Sequence, residues 1–141
     1  MNNLEKTCHH KSALGSDDSD APIIRQAVSF ARPEKARLTL IHVVDSVPTQ
    51  IYDQDIYDEH TRNDENYLQG IADEIRDSGV PVEIELAFGN PTEELSKFTV
   101  SHKVDLLVMG SHGHRLVGDL IWGETVEPLR YKVKIPILVV R

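Results

Sequence analysis

Residues 105–113 read Asp105-Leu106-Leu107-Val108-Met109-Gly110-Ser111-His112-Gly113, and nine residues then separate Gly113 from Gly123-Glu124-Thr125-Val126. The apolar run from Leu106 to Met109 has the composition of a buried strand, and it breaks at Gly110 with a second glycine close behind. Glycine has no Cβ, so a strand ending this way predicts a loop whose backbone comes close to something. A helical pattern opens just after Gly123, bringing the bare amides of a first helical turn to the same region. Strand, glycine loop and helix start together suit a phosphate, which backbone N–H groups and the helix dipole both favour.

Outward from this stretch, strand-like and helix-like patterns alternate. Strands are predicted at about residues 10–16, 38–44, 82–86, 105–109 and 135–140. The first is small and polar beside the others, whereas buried central strands normally read as branched aliphatic runs. Ser19 is a good N-cap for the first helix, with Asp20 and Pro22 in its first turn and Ile23, Ile24, Ala27, Val28 and Ala31 on its buried face. After a long loop through Pro48, a second helix is predicted over about residues 58–78. Tyr67, Leu68, Ile71, Ala72 and Ile75 form its stripe, and Gly79 ends it. Val82 to Leu86 alternates as a strand covered on one face would. Asn90 caps a third helix with Pro91 at its first position, and a short fourth helix spans about residues 125–131. Strictly alternating strands and helices imply an α/β protein with a mostly parallel sheet and helices on both faces.

Composition narrows the function. A chain of 141 residues is expected to form a single domain over residues 1–141 with a real core. Its net charge of −8 argues against nucleic acid or an anionic membrane surface as a general partner. Nine acids fall between Asp53 and Asp77 against two arginines, the pattern of a solvated helix face. The single cysteine, Cys8, excludes an internal disulfide and suits a reducing compartment. No apolar run approaches the ~18 residues of a membrane span, and no signal-peptide core is visible. The expectation is a cytoplasmic protein that is not membrane-inserted.

Gly110, Gly113 and Gly123 resemble the signature of the universal stress protein family: glycine, two residues, glycine, nine residues, glycine, then Ser or Thr. The final slot here holds Glu124. Residues 12–20, Ser-Ala-Leu-Gly-Ser-Asp-Asp-Ser-Asp, resemble the family's first strand and its Asp-x-Ser turn. Residues 37–44 resemble its second strand and residues 135–140 its last. The resemblance runs over about residues 9–141 and implies a Rossmann-like, open five-stranded parallel sheet in the order 3-2-1-4-5, akin to the adenine nucleotide alpha hydrolase-like folds. It also implies a site for ATP or another adenine nucleotide, built from Ser16, Asp17, Val43, Val44, Gly110, His112, Gly113, Gly123, Glu124 and Thr125. In ATP-binding members the aspartate matching Asp17 contacts the adenine. The plainer reading of Asp17 is that it opens the turn before Ser19.

Glu124 opposes the phosphate reading. A carboxylate only accepts hydrogen bonds, whereas the family's hydroxyl can donate to a phosphate oxygen. Like charges 4 Å apart repel by ~4 kcal/mol at an effective dielectric near 20. An acid in a first turn also has a benign role, favouring the helix dipole by ~0.3–1 kcal/mol. If Thr125 is the N-cap, Pro128 falls at the third helical position without losing a hydrogen bond, and Glu124 is free to face solvent. Both rotations stay open, as does a divalent cation such as Mg²⁺ bridging Glu124 to the phosphates.

The remaining polar clusters are weaker. His112, His114 and Arg115 add positive charge near the loop. Cys8-His9-His10 looks like a ligand group, but adjacent strand residues face opposite ways and no zinc spacing joins it to the loop histidines, so no metal site is expected. His42 reads as a satisfied core or edge histidine. No catalytic residues stand out: the chain lacks a nucleophile elbow and a Walker lysine, and its Gly-Ser-Asp-Asp-Ser turn differs from the Ser-Gly-Gly-x-Asp-Ser loop of pyrophosphatase-type ATP synthetases. The expectation is therefore a non-enzymatic regulatory module that binds an adenine nucleotide weakly. The alternative is a dimeric interaction domain without nucleotide. The uncharged strand from Ile135 to Val140 is the expected homodimer edge, as the resemblance also implies. Tyr52-Asp53-Gln54 through Tyr67-Leu68, with residues 112–115 and 119–121, also resembles stress-protein domains attached to metal-ion transporters, which points to a regulatory protein partner at a membrane.

Overall fold

The computed structural model describes residues 5–10, 21–44, 54–110 and 126–140, with side chains described over 21–44, 61–110 and 126–140. In chain order the elements are β1 (Glu5–His10), α1 (Ala21–Ala31), β2 (Arg37–Val44), α2 (Gln54–Asp77), β3 (Val82–Phe88), α3 (Pro91–Ser101), β4 (Leu106–Gly110), α4 (Val126–Lys132) and β5 (Ile137–Val140). The strands pair in parallel in one sheet, in the spatial order β3-β2-β1-β4-β5.

Alternation along the central strands sends side chains to two cores. Leu38 and Leu40 of β2 and Val108 of β4 meet Ile23, Ala27 and Ala31 of α1 and Leu68, Ala72 and Ile75 of α2. Ile41 and Val43 of β2 with Leu107 and Met109 of β4 meet Leu95 and Phe98 of α3 and Leu129 of α4. Strands covered on both faces need apolar residues at consecutive positions, which is why these two read as continuous runs. β3 differs. Val82 is buried while Glu83 and Glu85 are exposed, so this strand is covered on one face only.

Local chemistry sets the helix ends. The Asn90 side chain accepts from the Glu93 N–H at 3.1 Å, and Pro91 occupies the first turn, where its missing N–H costs nothing. Gly79 closes α2 with φ +91°, and its N–H donates to the Arg76 carbonyl at 2.9 Å. The Arg76 guanidinium donates twice to the Val82 carbonyl, at 3.2 and 2.9 Å, tying the end of α2 to the start of β3. Lys132 pairs with Glu93, joining the last turn of α4 to the first of α3.

Three elements start well away from the sequence expectation, while smaller shifts occur elsewhere, as at β3, which runs on to Phe88. The first strand is Glu5–His10, ahead of the expected residues 10–16, because the two-sided ladder selects it and its composition does not. Glu5 to His10 lie opposite Arg37 to His42, and Lys6 to His9 opposite Leu106 to Met109. α2 begins at Gln54 and not near residue 58, taking in an acid-rich segment whose carboxylates suit a helix N-terminus. β5 begins at Ile137 and not at Ile135. Pro136 has no N–H to give the ladder, and only its carbonyl takes part, accepting from the Leu107 N–H at 3.1 Å.

Gly70 sits exposed inside α2, and a Cβ there would have nothing within 4 Å. Gly70→Ala is expected to stabilise the protein by ~0.5–1 kcal/mol by relieving the entropic cost of glycine in a helix. Gly79→Ala should instead destabilise it by ~1–2 kcal/mol, since its positive φ strains an L side chain. Urea unfolding of the two variants checks both signs.

Candidate functional site

In an open parallel sheet, ligands bind beyond the carboxyl ends of the strands, where the order reverses. That reversal lies between β1 and β4. The chain leaving β1 forms α1, which packs on one face, and the chain leaving β4 forms α4, which packs on the other. Connections that depart to opposite faces leave a crevice between them.

Gly110 is the last residue of β4, opposite Val140, with Met109 beside His9 of β1. It therefore stands at the reversal, where the glycine run led. Val43 and Val44 end β2, past the described pairing with β1, whose last partners are His10 and His42. The Val43 side chain is buried against α3 and α4 and is committed to that core, so what it offers a ligand is backbone. Val44 is half-buried, and its carbonyl accepts from the Gly89 N–H at 3.0 Å, which folds the turn after β3 beside this strand end. The same turn leads into the Asn90 cap, so α3 starts at this edge.

Ser16, Asp17, His112, Gly113, Gly123, Glu124 and Thr125 lie outside the described residues. The described part of α4 begins at Val126, which makes Pro128 its third residue. The first turn of a helix has no use for that N–H, so the proline is accommodated without a lost hydrogen bond. Among the described residues, no group of three or more His, Cys, Asp or Glu is placed to hold a metal ion. No helix among them is long and apolar enough to cross a membrane.

The sequence reading missed the partner of His42. Its Nε2 lies 3.2 Å from Oδ2 of Asp64 on α2, and both residues are buried. The signal was present in the helix. Asp64 precedes Leu68, Ala72 and Ile75 on one stripe, and an acid at an apolar stripe position needs a buried partner.

An open parallel sheet whose order reverses between β1 and β4, with helices on both faces, is a doubly wound α/β fold. Residues 12–141 match the universal stress protein family, and the chain belongs to that family. A universal stress protein of Thermus aquaticus is 30% identical over 131 residues, covering 91% of this chain and 96% of the relative. One from Methanocaldococcus jannaschii is 29% identical over 90 residues, or 64% of this chain, and the match spans only 56% of that relative. The solved structure of that M. jannaschii protein aligns with a TM-score of 0.83 at 22% identity, covering 98% of this chain and 95% of its own. The universal stress protein of Archaeoglobus fulgidus in complex with dAMP aligns with a TM-score of 0.70 at 17% identity, over the full length of both chains.

The Asn90 cap secures the helix that starts at this edge. Asn90→Ala should lower stability by ~1 kcal/mol, read by urea unfolding, whereas Asn90→Asp should retain most of it.

Proposed function

We propose that this chain is a regulatory module without chemistry of its own that binds an adenine nucleotide weakly at the β1–β4 crevice. The observation that carries the reading is Gly110 at the carboxyl end of β4, where the sheet order reverses and the spaced glycines begin. A dAMP complex in a protein of the same fold supports the ligand class. In this reading the adenine lies between Asp17 and the backbone at Val43 and Val44, with Ser16 beside it. The phosphates take backbone N–H donors from Gly110, His112, Gly113 and Gly123, with Thr125 adding a hydroxyl.

Backbone donors are unaffected by the side chain at position 124, so binding survives Glu124 but is weakened by it. The penalty grows with phosphate charge, placing AMP ahead of ATP unless Mg²⁺ bridges Glu124 to the phosphates. Calorimetric titration of AMP and ATP, with and without Mg²⁺, tests this order. Glu124→Ser should tighten ATP about tenfold for each 1.4 kcal/mol of repulsion removed. Metal-free ATP binding by the wild type as tight as that of the variant would show that Glu124 points away. No binding by either protein would eliminate the nucleotide and leave a dimeric interaction domain, the reading Glu124 favours.

Assembly and location belong to the same proposal. β5 is an edge strand with the apolar sequence Ile137-Leu138-Val139-Val140, and pairing across a two-fold axis would cover it. The module then works as a cytoplasmic homodimer. Light scattering should give twice the chain mass at micromolar concentration, and a monomer there would defeat the dimer.

A further inference from the structure

The middle of α2, residues 61–67, meets the sheet differently from the C-terminal part of the helix. From Leu68 onward it buries Leu68, Ala72 and Ile75. Over residues 61–67, Arg62, Asn63, Glu65 and Asn66 are exposed, Thr61 and Tyr67 are half-buried, and Asp64 alone is buried, with 12% of its side chain exposed. Its contact is the 3.2 Å hydrogen bond with His42, whose side chain is 2% exposed. A carboxylate oxygen only accepts, so the His42 Nε2 donates and the imidazole is held in one orientation. An apolar contact tolerates sliding, whereas a buried hydrogen bond is directional and costly to leave unmade. His42 is followed immediately by Val43 and Val44, the strand end at the crevice.

We propose that His42 and Asp64 are positioning residues, forming a latch that fixes the middle of α2 against the end of β2 and thereby sets the backbone of Val43 and Val44. The consequence for affinity rests on the nucleotide reading above; the latch itself does not. A merely structural pair would, when broken, loosen the whole molecule. A latch loosens the middle stretch of α2 and one strand end, and it is restored by a residue that keeps the acceptor without the charge.

The test compares amide hydrogen exchange and AMP titration for wild type, Asp64→Ala and Asp64→Asn. Asp64→Ala should raise exchange at residues 61–67 and at Val43 and Val44 about tenfold, leaving residues 71–77 protected. AMP affinity should fall about tenfold with it. Asp64→Asn, which still offers an acceptor oxygen, should bring both back to within about twofold of wild type. Uniform loss of protection along α2, or none, would overturn the latch. Local loosening with unchanged AMP affinity would overturn its link to the crevice. A wild type that does not bind AMP would defeat the nucleotide reading and with it that link, while the exchange pattern still decides the latch. Should Asp64→Ala fail to fold, the His42 Nε2–H decides. A slowly exchanging resonance in both wild type and Asp64→Asn supports the latch, and its loss to water in either overturns it.

Discussion

The two-sided pairing of β1 is the constraint from which the architecture follows. With β2 on one side and β4 on the other, all parallel, no neighbouring strands can be joined by a tight hairpin. Each connection must cross a face of the sheet, and the helices that make those crossings need a surface to cover. β2 and β4 therefore have to be apolar on both sides at once. Leu38 and Leu40 turn toward α1 and α2, while Ile41 and Val43 turn toward α3 and α4. The reversal follows from the same requirement: the crossings that leave β1 and β4 use opposite faces, which is where a parallel sheet of this order places its ligand crevice.

Within this frame polar chemistry is placed sparingly, at the joints between elements. The Asn90 cap, the Arg76 guanidinium on the Val82 carbonyl and the Lys132–Glu93 pair each fasten a helix end to its neighbour. An exposed ion pair such as Lys132–Glu93 contributes little to stability by itself, whereas the Asn90 cap contributes about 1 kcal/mol. Their role is alignment, since apolar cores resist separation more strongly than they resist a small slide. The His42–Asp64 contact does the same inside the core. Its burial makes its geometry more demanding, because Asp64 without the imidazole would lose its buried donor.

Much of the fold was legible because it depends on local pattern. The face of α1, the run of β2, the alternation of β3 and the Asn90-Pro91 start of α3 are each carried by a few neighbouring residues. What escaped depends on distant residues. β1 is polar, and its position comes from ladders with β2 and β4 that no local window contains. The start of α2 was obscured because its first turns have no apolar stripe. Asp64 and His42 are separated by a strand-to-helix connection, so their pairing is non-local even though each was odd in its own element. The apolar run into Gly110 was enough to place β4 and its end, which stands where the strand order reverses, while Gly113 and Gly123 lie outside the described residues. Val43 was legible as a position at the strand end, but its side chain is taken by the core.

The unequal edges of the sheet bear on how copies of the chain can associate. β3, at one edge, turns Glu83 and Glu85 outward on an uncovered face, so an added strand would lie beside a row of like charges. β5, at the other, offers Ile137 to Val140 with no charged residue among them. A sheet able to extend from both edges would grow without limit, as fibrils do. Among the described residues the two edges differ in charge, with Glu83 and Glu85 on β3 and none on β5. The two glutamates thus distinguish the β3 edge from the β5 edge as a surface for strand addition.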